Sequence, residues 1–127
     1  MAYIFLRKSE ILALHAGLIE TSGGAYGIRS EGGLESALAA AENRYLYEDA
    51  GLTVCAATYA YHLTQSHAFI DGNKRVGAAA AEAFVMLNNG RLDATNDELI
   101  ELLLAVASGD VSRAVVEDFF AQHTSFD

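Results

Sequence analysis

Residues 52–65, LTVCAATYAYHLTQ, are apolar on nearly every side. A helix without a polar face has to be enclosed by other elements, so this stretch predicts a central buried helix around which the rest of the chain is built. Residues 73–88 follow it with the character of a second helix and end at NNG, a helix stop. Within it Ala78, Ala79, Ala80, Ala81 and Ala83 are small enough to let a neighbouring helix come close. Residues 9–21 place Ile11, Leu12, Leu14, Leu18 and Ile19 near the helical period, with Ser9 as the expected N-cap. Residues 34–46 read as a helix closed by YEDAG at 47–51, and Thr95 with Glu98 makes a capping box that opens 99–109. Gly109 closes that helix, and Asp110 is the expected cap of 111–123. There is no proline in the 127 residues, and strand signals are confined to 3–6 and 91–94. The expected fold is all-α. It is a compact single domain over residues 1–127, a bundle of about six helices, with at most a very small β-ribbon pairing those two stretches.

Charge and cysteine usage narrow the function classes. The formal charge is −9, from 17 acidic and 8 basic residues, which argues against direct nucleic-acid binding because phosphate-backbone affinity needs many cations. An anionic ligand would have to be held by a local basic cluster. Cys55 is alone, so there is neither a disulfide framework nor a cysteine metal cluster, and its apolar neighbours make it a small core hydrophobe. A reducing cytosol is the expected compartment. The MAYIFLRKSE start lacks the basic opening and long apolar run of a signal peptide. The apolar stretches are broken well before the ~20 residues that span a bilayer. The expected location is cytoplasmic, with no membrane contact.

The chemistry is concentrated in residues 66–75, SHAFIDGNKR, a polar loop between the two most buried helices. Lys74 and Arg75 stand at a helix N-terminus, where cations cost roughly 0.3–1 kcal/mol each. A bound anion reverses that penalty. The N–H groups of Gly72, Asn73, Lys74 and Arg75 would form an anion site there, with phosphate as the matching ligand. His67 can exchange a proton near neutral pH and suits a general base. Phe69 would anchor the loop by its ring, and Asp71 is the hard oxygen ligand that takes Mg²⁺ together with phosphates. Gly72 lets a ligand approach the backbone, while Asn73 can hold the loop's shape. Each residue alone has a plain structural reading as cap, breaker or solvated charge; their conjunction within nine residues favours a site. His15 and His62 lie inside helical patterns without such company and read as structural, and His123 complements a helix C-terminus. The glycine-rich stretch 22–33 matches no phosphate-loop spacing.

HAFIDGNKR resembles the Fic/Doc signature H-x-F-x-(D/E)-G-N-(G/K)-R at every defined position. LRKSEILALHAGLIETSGG, GIRSEGGLESALA and LDATNDELIELLLAVASGDVS are similar to segments of death-on-curing (Doc) proteins in the same order, so the resemblance covers nearly the whole chain. Fic members typically transfer AMP from ATP to a protein hydroxyl. The resemblance implies that His67 deprotonates the hydroxyl, Asp71 binds Mg²⁺, and Phe69, Gly72, Asn73, Lys74 and Arg75 hold the nucleotide. Lys74 and Arg75 would also assist catalysis. Lys74 replaces the Fic glycine and Ala78 replaces a second Fic arginine, and both match the Doc branch. Doc proteins are kinases that bind ATP reversed, with the γ-phosphoryl group toward the hydroxyl. The implied target is a threonine of elongation factor Tu, whose modification halts translation. The implied partner is a Phd-type antitoxin whose disordered C-terminal segment folds into a groove of the toxin.

Two further comparisons bear on regulation and target choice. The inhibitory pattern (S/T)-x-x-x-E-(G/N) of many Fic proteins is missing, since Glu31-Gly32 and Glu42-Asn43 are preceded four positions earlier by Gly27 and Leu38. Gln65 stands where some Doc proteins have arginine. Residues 43–51 lie where relatives carry a flap that docks the target as an extended strand. The alternatives are AMP transfer to a protein hydroxyl and a non-catalytic phosphate- or nucleotide-binding regulatory module.

Overall fold

Leu52–Gln65, the most apolar run, forms the axis of this computed structural model, which describes residues 3–127. The first two residues of the MAYIFLRKSE start lie outside the described residues. In chain order the elements are α1 (Lys8–Ser22), α2 (Glu31–Glu48), α3 (Leu52–Gln65), α4 (Asn73–Leu87), β1 (Gly90–Leu92), α5 (Asn96–Ala107), α6 (Arg113–His123) and β2 (Thr124–Phe126). The all-α expectation holds. Cys55, Ala56, Ala57, Tyr59, Ala60 and Leu63 of α3 are fully buried, and α3 packs chiefly on α4, then on α2 and α6. Cys55 is the small core hydrophobe expected, its thiol pushed up to about 11 by burial and so inert at neutral pH.

α3 and α4 approach closely at Gly77. A Cβ at Gly77 would lie 3.0 Å from the Ala60 carbonyl and press on the Thr64 hydroxyl. With glycine there the two backbones meet, which fixes the loop between these helices from below. Phe84 of α4 joins Tyr59 and Phe5 in an aromatic cluster on the other side of the core.

Several boundaries differ from the expected ones. Lys8, not Ser9, opens α1; Arg7 is the N-cap, and its N–H donates to the Glu10 carboxylate at 2.8 Å. Ser30 caps α2 through a 2.9 Å bond from the Gly33 N–H, so that helix starts three residues earlier than read, before GlyGly rather than after it. The Thr95–Glu98 capping box is present, with bonds of 2.9 and 3.1 Å. Ser112, rather than Asp110, is the N-cap of α6; the Asp110 carboxylate instead accepts from the Ser108 hydroxyl.

The ribbon exists with a different partner. β1 pairs antiparallel with β2, Gly90 opposite Phe126 and Leu92 opposite Thr124. Residues 3–6 cannot join it because their backbone is held elsewhere: Asn88 brackets Ile4 with bonds of 2.9 and 3.0 Å, and the Leu6 N–H donates to the Tyr59 hydroxyl. The segment 43–51, where relatives carry the docking flap, includes the end of α2, which runs on past the expected 46 to Glu48 and stops where Asp49 turns left-handed at φ 54°. No helix among the described residues is long and apolar enough to cross a membrane.

Candidate active site

Three elements hold the loop between α3 and α4. The first is its own Asn73, which reaches back so that its Oδ1 accepts the Phe69 N–H and its Nδ2 donates to the Phe69 carbonyl, both at 3.0 Å. That closes the turn and leaves the Phe69 ring buried. The second is the segment after α1. Ala68 O accepts from Arg29 and Ser30 N–H at 2.7 and 3.0 Å, and Gly27 O accepts from Ile70 N–H at 3.1 Å, making a one-residue antiparallel bridge between Ile28 and Phe69.

The third is α1 itself. The His15 ring lies flat on Phe69, centroids 3.8 Å apart, and its Nε2 is 2.7 Å from the Asp71 carbonyl. A carbonyl only accepts, so that nitrogen carries the proton. One turn later Ile19 lies under Gly72, and beyond it Arg75 Nη1 donates to the carbonyls of Gly23 (2.9 Å) and Leu18 (3.5 Å). Both carbonyls lie at the C-terminal end of α1, the negative end of its dipole. A guanidinium placed there is both satisfied and oriented.

On this frame sit the residues singled out from the sequence. His67 has φ 49°, in the left-handed region, and its side chain is exposed with no hydrogen bond among the described residues. Asp71 is half-exposed, its Oδ2 accepting the Ala25 N–H at 3.2 Å and its Oδ1 the Gly72 N–H at 2.9 Å. Those two donors, then Arg75 at 3.9 Å and Lys74, hold the Asp71 carboxyl below the ordinary carboxylate range. Gly72, at φ 79°, is the N-cap of α4, and no side chain caps that helix.

One expectation is corrected here. The Gly72 N–H is engaged by Asp71, so the amides left for the expected anion site are those of Asn73, Lys74 and Arg75. The Lys74 ammonium makes no hydrogen bond or ion pair among the described residues.

A cavity of about 240 Å³ opens on residues 71–75 and Ile100. A second, of about 330 Å³, adjoins it, sharing Arg75 and Ile100 and lined further by Leu18, Ala78, Ala79 and Leu99. His67 lines neither. The described residues contain no group of three potential metal ligands. Asp71 is thus a lone, oriented, ionised carboxylate beside the uncapped amides that open α4. That donor set suits Mg²⁺, which keeps waters and binds through one or two carboxylates plus substrate phosphates, better than a metal held wholly by protein.

The sequence model of the Fic/DOC family matches residues 5–85, which takes in α1, α2, α3, nearly all of α4 and the whole loop. The chain belongs to the Fic/DOC family. It is also 32% identical over 114 residues to Protein kinase doc of Escherichia phage P1, covering 89% of this chain and 90% of that protein. The likeness places this Fic/DOC chain on the Doc side of the family. What the motif did not disclose is its support. From the sequence His15 reads as a structural histidine and 22–33 as a glycine-rich loop without phosphate-loop spacing, yet both press on the motif directly. The available signal was the four-residue rhythm of His15 and Ile19, ending at Gly23, on one side of α1.

Proposed function

We propose that this Fic/DOC protein is a Doc-type kinase that moves the γ-phosphoryl group of ATP to a threonine hydroxyl of elongation factor Tu and so halts translation. The observation that carries the reading is the uncapped start of α4. Three amides, Lys74 and Arg75 face a cavity that continues past Ala78, where a second arginine would otherwise stand. The likeness to Protein kinase doc of phage P1 supports the kinase class. Lys74 and Ala78 support the same branch over AMP transfer.

Phosphoryl transfer depends on alignment and charge stabilisation more than on covalent help from the protein. His67 accepts the proton of the attacking hydroxyl. The hydroxyl oxygen bonds to the γ-phosphorus while the bond from that phosphorus to the bridging oxygen breaks, and ADP leaves with the electron pair. The proton passes from His67 to solvent. The amides of residues 73–75, with Lys74 and the anchored Arg75, hold phosphate oxygens. Mg²⁺, bound through Asp71, would supply neutralisation of phosphate charge. A Phd-type antitoxin, folding its C-terminal segment into a groove of the enzyme, would restrain this activity in the cytoplasm.

Parallel reactions with elongation factor Tu and either γ- or α-labelled ATP test the reading. Label in the target from the γ position alone is the expected result; α-label would establish AMP transfer instead. Growth on expression separates both from a binding module. The natural chain is expected to be toxic and His67→Ala and Asp71→Ala harmless, whereas equal toxicity of all three would reject an enzyme.

A further inference from the structure

We propose that His15 is a positioning residue for the phosphoryl-transfer site, its Nε2–H fixing the peptide unit between Asp71 and Gly72. The inference rests on the reading of Asp71 and the α4 amides given above. A peptide unit is planar, so fixing its carbonyl also fixes the direction of its N–H. Here the Asp71 carbonyl is held by His15 at 2.7 Å, and the N–H at the other end of that unit points to Asp71 Oδ1 at 2.9 Å. Gly72, with no Cβ and φ 79°, offers little steric resistance to rotation of this plane. The histidine supplies the resistance that the residue type lacks.

Stacking alone does not account for the residue. The ring lies parallel to Phe69 within 10° and is almost fully buried, a position where any flat apolar ring would pack. A buried imidazole needs a polar partner, and the one it has is the carbonyl of the carboxylate-bearing residue. Release of that carbonyl would loosen the Gly72 bond to Asp71 Oδ1. The carboxylate would then keep one hydrogen bond, from Ala25 at 3.2 Å, beside the longer 3.9 Å approach of Arg75, and the start of α4 would lose its fixed entry.

The test compares His15→Phe, which keeps the ring and removes the donor, with His15→Gln, which keeps a donor and removes the ring. A third variant, His15→Met, fills the space without a donor and serves if His15→Phe does not fold. In the nucleotide-free protein, amide hydrogen exchange at Gly72 and Ala25 is expected to speed up about tenfold in the donor-less variants, while Leu34 and Leu103 amides in the core do not change. In the transfer assay kcat is expected to fall about 10- to 100-fold with little change in KM for the protein target, and His15→Gln is expected to restore most of both. Unchanged exchange at Gly72 in His15→Phe would overturn the proposal, as would His15→Gln behaving as badly as His15→Phe. The exchange measurement needs no activity, so it judges His15 even if the natural chain transfers nothing from ATP.

Discussion

His67, the proposed general base, sits in a backbone conformation that costs the fold. At φ 49° its backbone is left-handed, a conformation that costs an L side chain roughly 1–2 kcal/mol and glycine almost nothing. Its ring is exposed and makes no hydrogen bond among the described residues, so replacing it removes little packing. His67→Ala and His67→Gly are both expected to lose transfer, with His67→Gly the more stable by about 1 kcal/mol in urea unfolding. Equal unfolding midpoints for the two variants would show that the turn is not strained. Asn73 is the opposite case, a residue whose contribution is to the loop's shape. Its removal leaves the Phe69 N–H without a partner next to a buried ring. Asn73→Ala is therefore expected to lower stability by about 1–3 kcal/mol. Asn73→Asp keeps the acceptor for that N–H but sets a carboxylate among the amides proposed to hold phosphate. It should lose less stability and more ATP affinity, measured by thermal unfolding and titration calorimetry.

Among the elements, α3 and α4 act as one unit, because the distance between them sets where the end of one stands relative to the start of the other. Gly77 keeps that distance short. Alanine is the better helix former by about 1 kcal/mol, yet Gly77→Ala is expected to destabilise by about 1–3 kcal/mol through overpacking against Ala60 and Thr64. Adding Thr64→Ala should recover part of the loss, since it removes the hydroxyl that the new methyl meets. A more stable Gly77→Ala single variant would mean that the helices can part at no cost. These two helices were legible in the sequence because both signals are local: an all-apolar period, and an alanine run between a glycine and NNG. The motif was legible for the same reason, as consecutive residues of chemically distinct types. The β2 partner of the ribbon was not, because pairing of Thr124–Phe126 with Gly90–Leu92 is decided by where α6 ends rather than by strand composition. Nor was the role of α1, whose contact with Asp71 and Arg75 joins residues more than fifty positions apart. Periodicity tells which side of a helix is buried, not what lies against it.

Across the whole molecule, Arg44 ties α2 to α3 and α6: it bonds Glu117 at 2.6 Å and Thr58 at 3.4 Å, while Glu117 also meets Arg113. His62 lies within reach of the fields of both arginines. Burial first, then Arg113 and Arg44, holds its imidazole below the ordinary value of 6.5, and its ring meets the edge of Tyr61. With the folded-state value depressed, the folded protein binds fewer protons than the unfolded chain once pH drops past 6.5. The contribution is fully present above that point and is lost as pH falls toward the folded value. Stability from urea unfolding is therefore expected to decline between about pH 7 and pH 5 in the natural chain, and to decline less in His62→Gln, which has nothing to protonate. Asp71 and Glu98 have carboxyls held low by hydrogen bonds, so their losses belong to a more acid window and do not blur the comparison. Identical slopes in both proteins would mean that protonated His62 is accommodated beside the two guanidiniums at no cost.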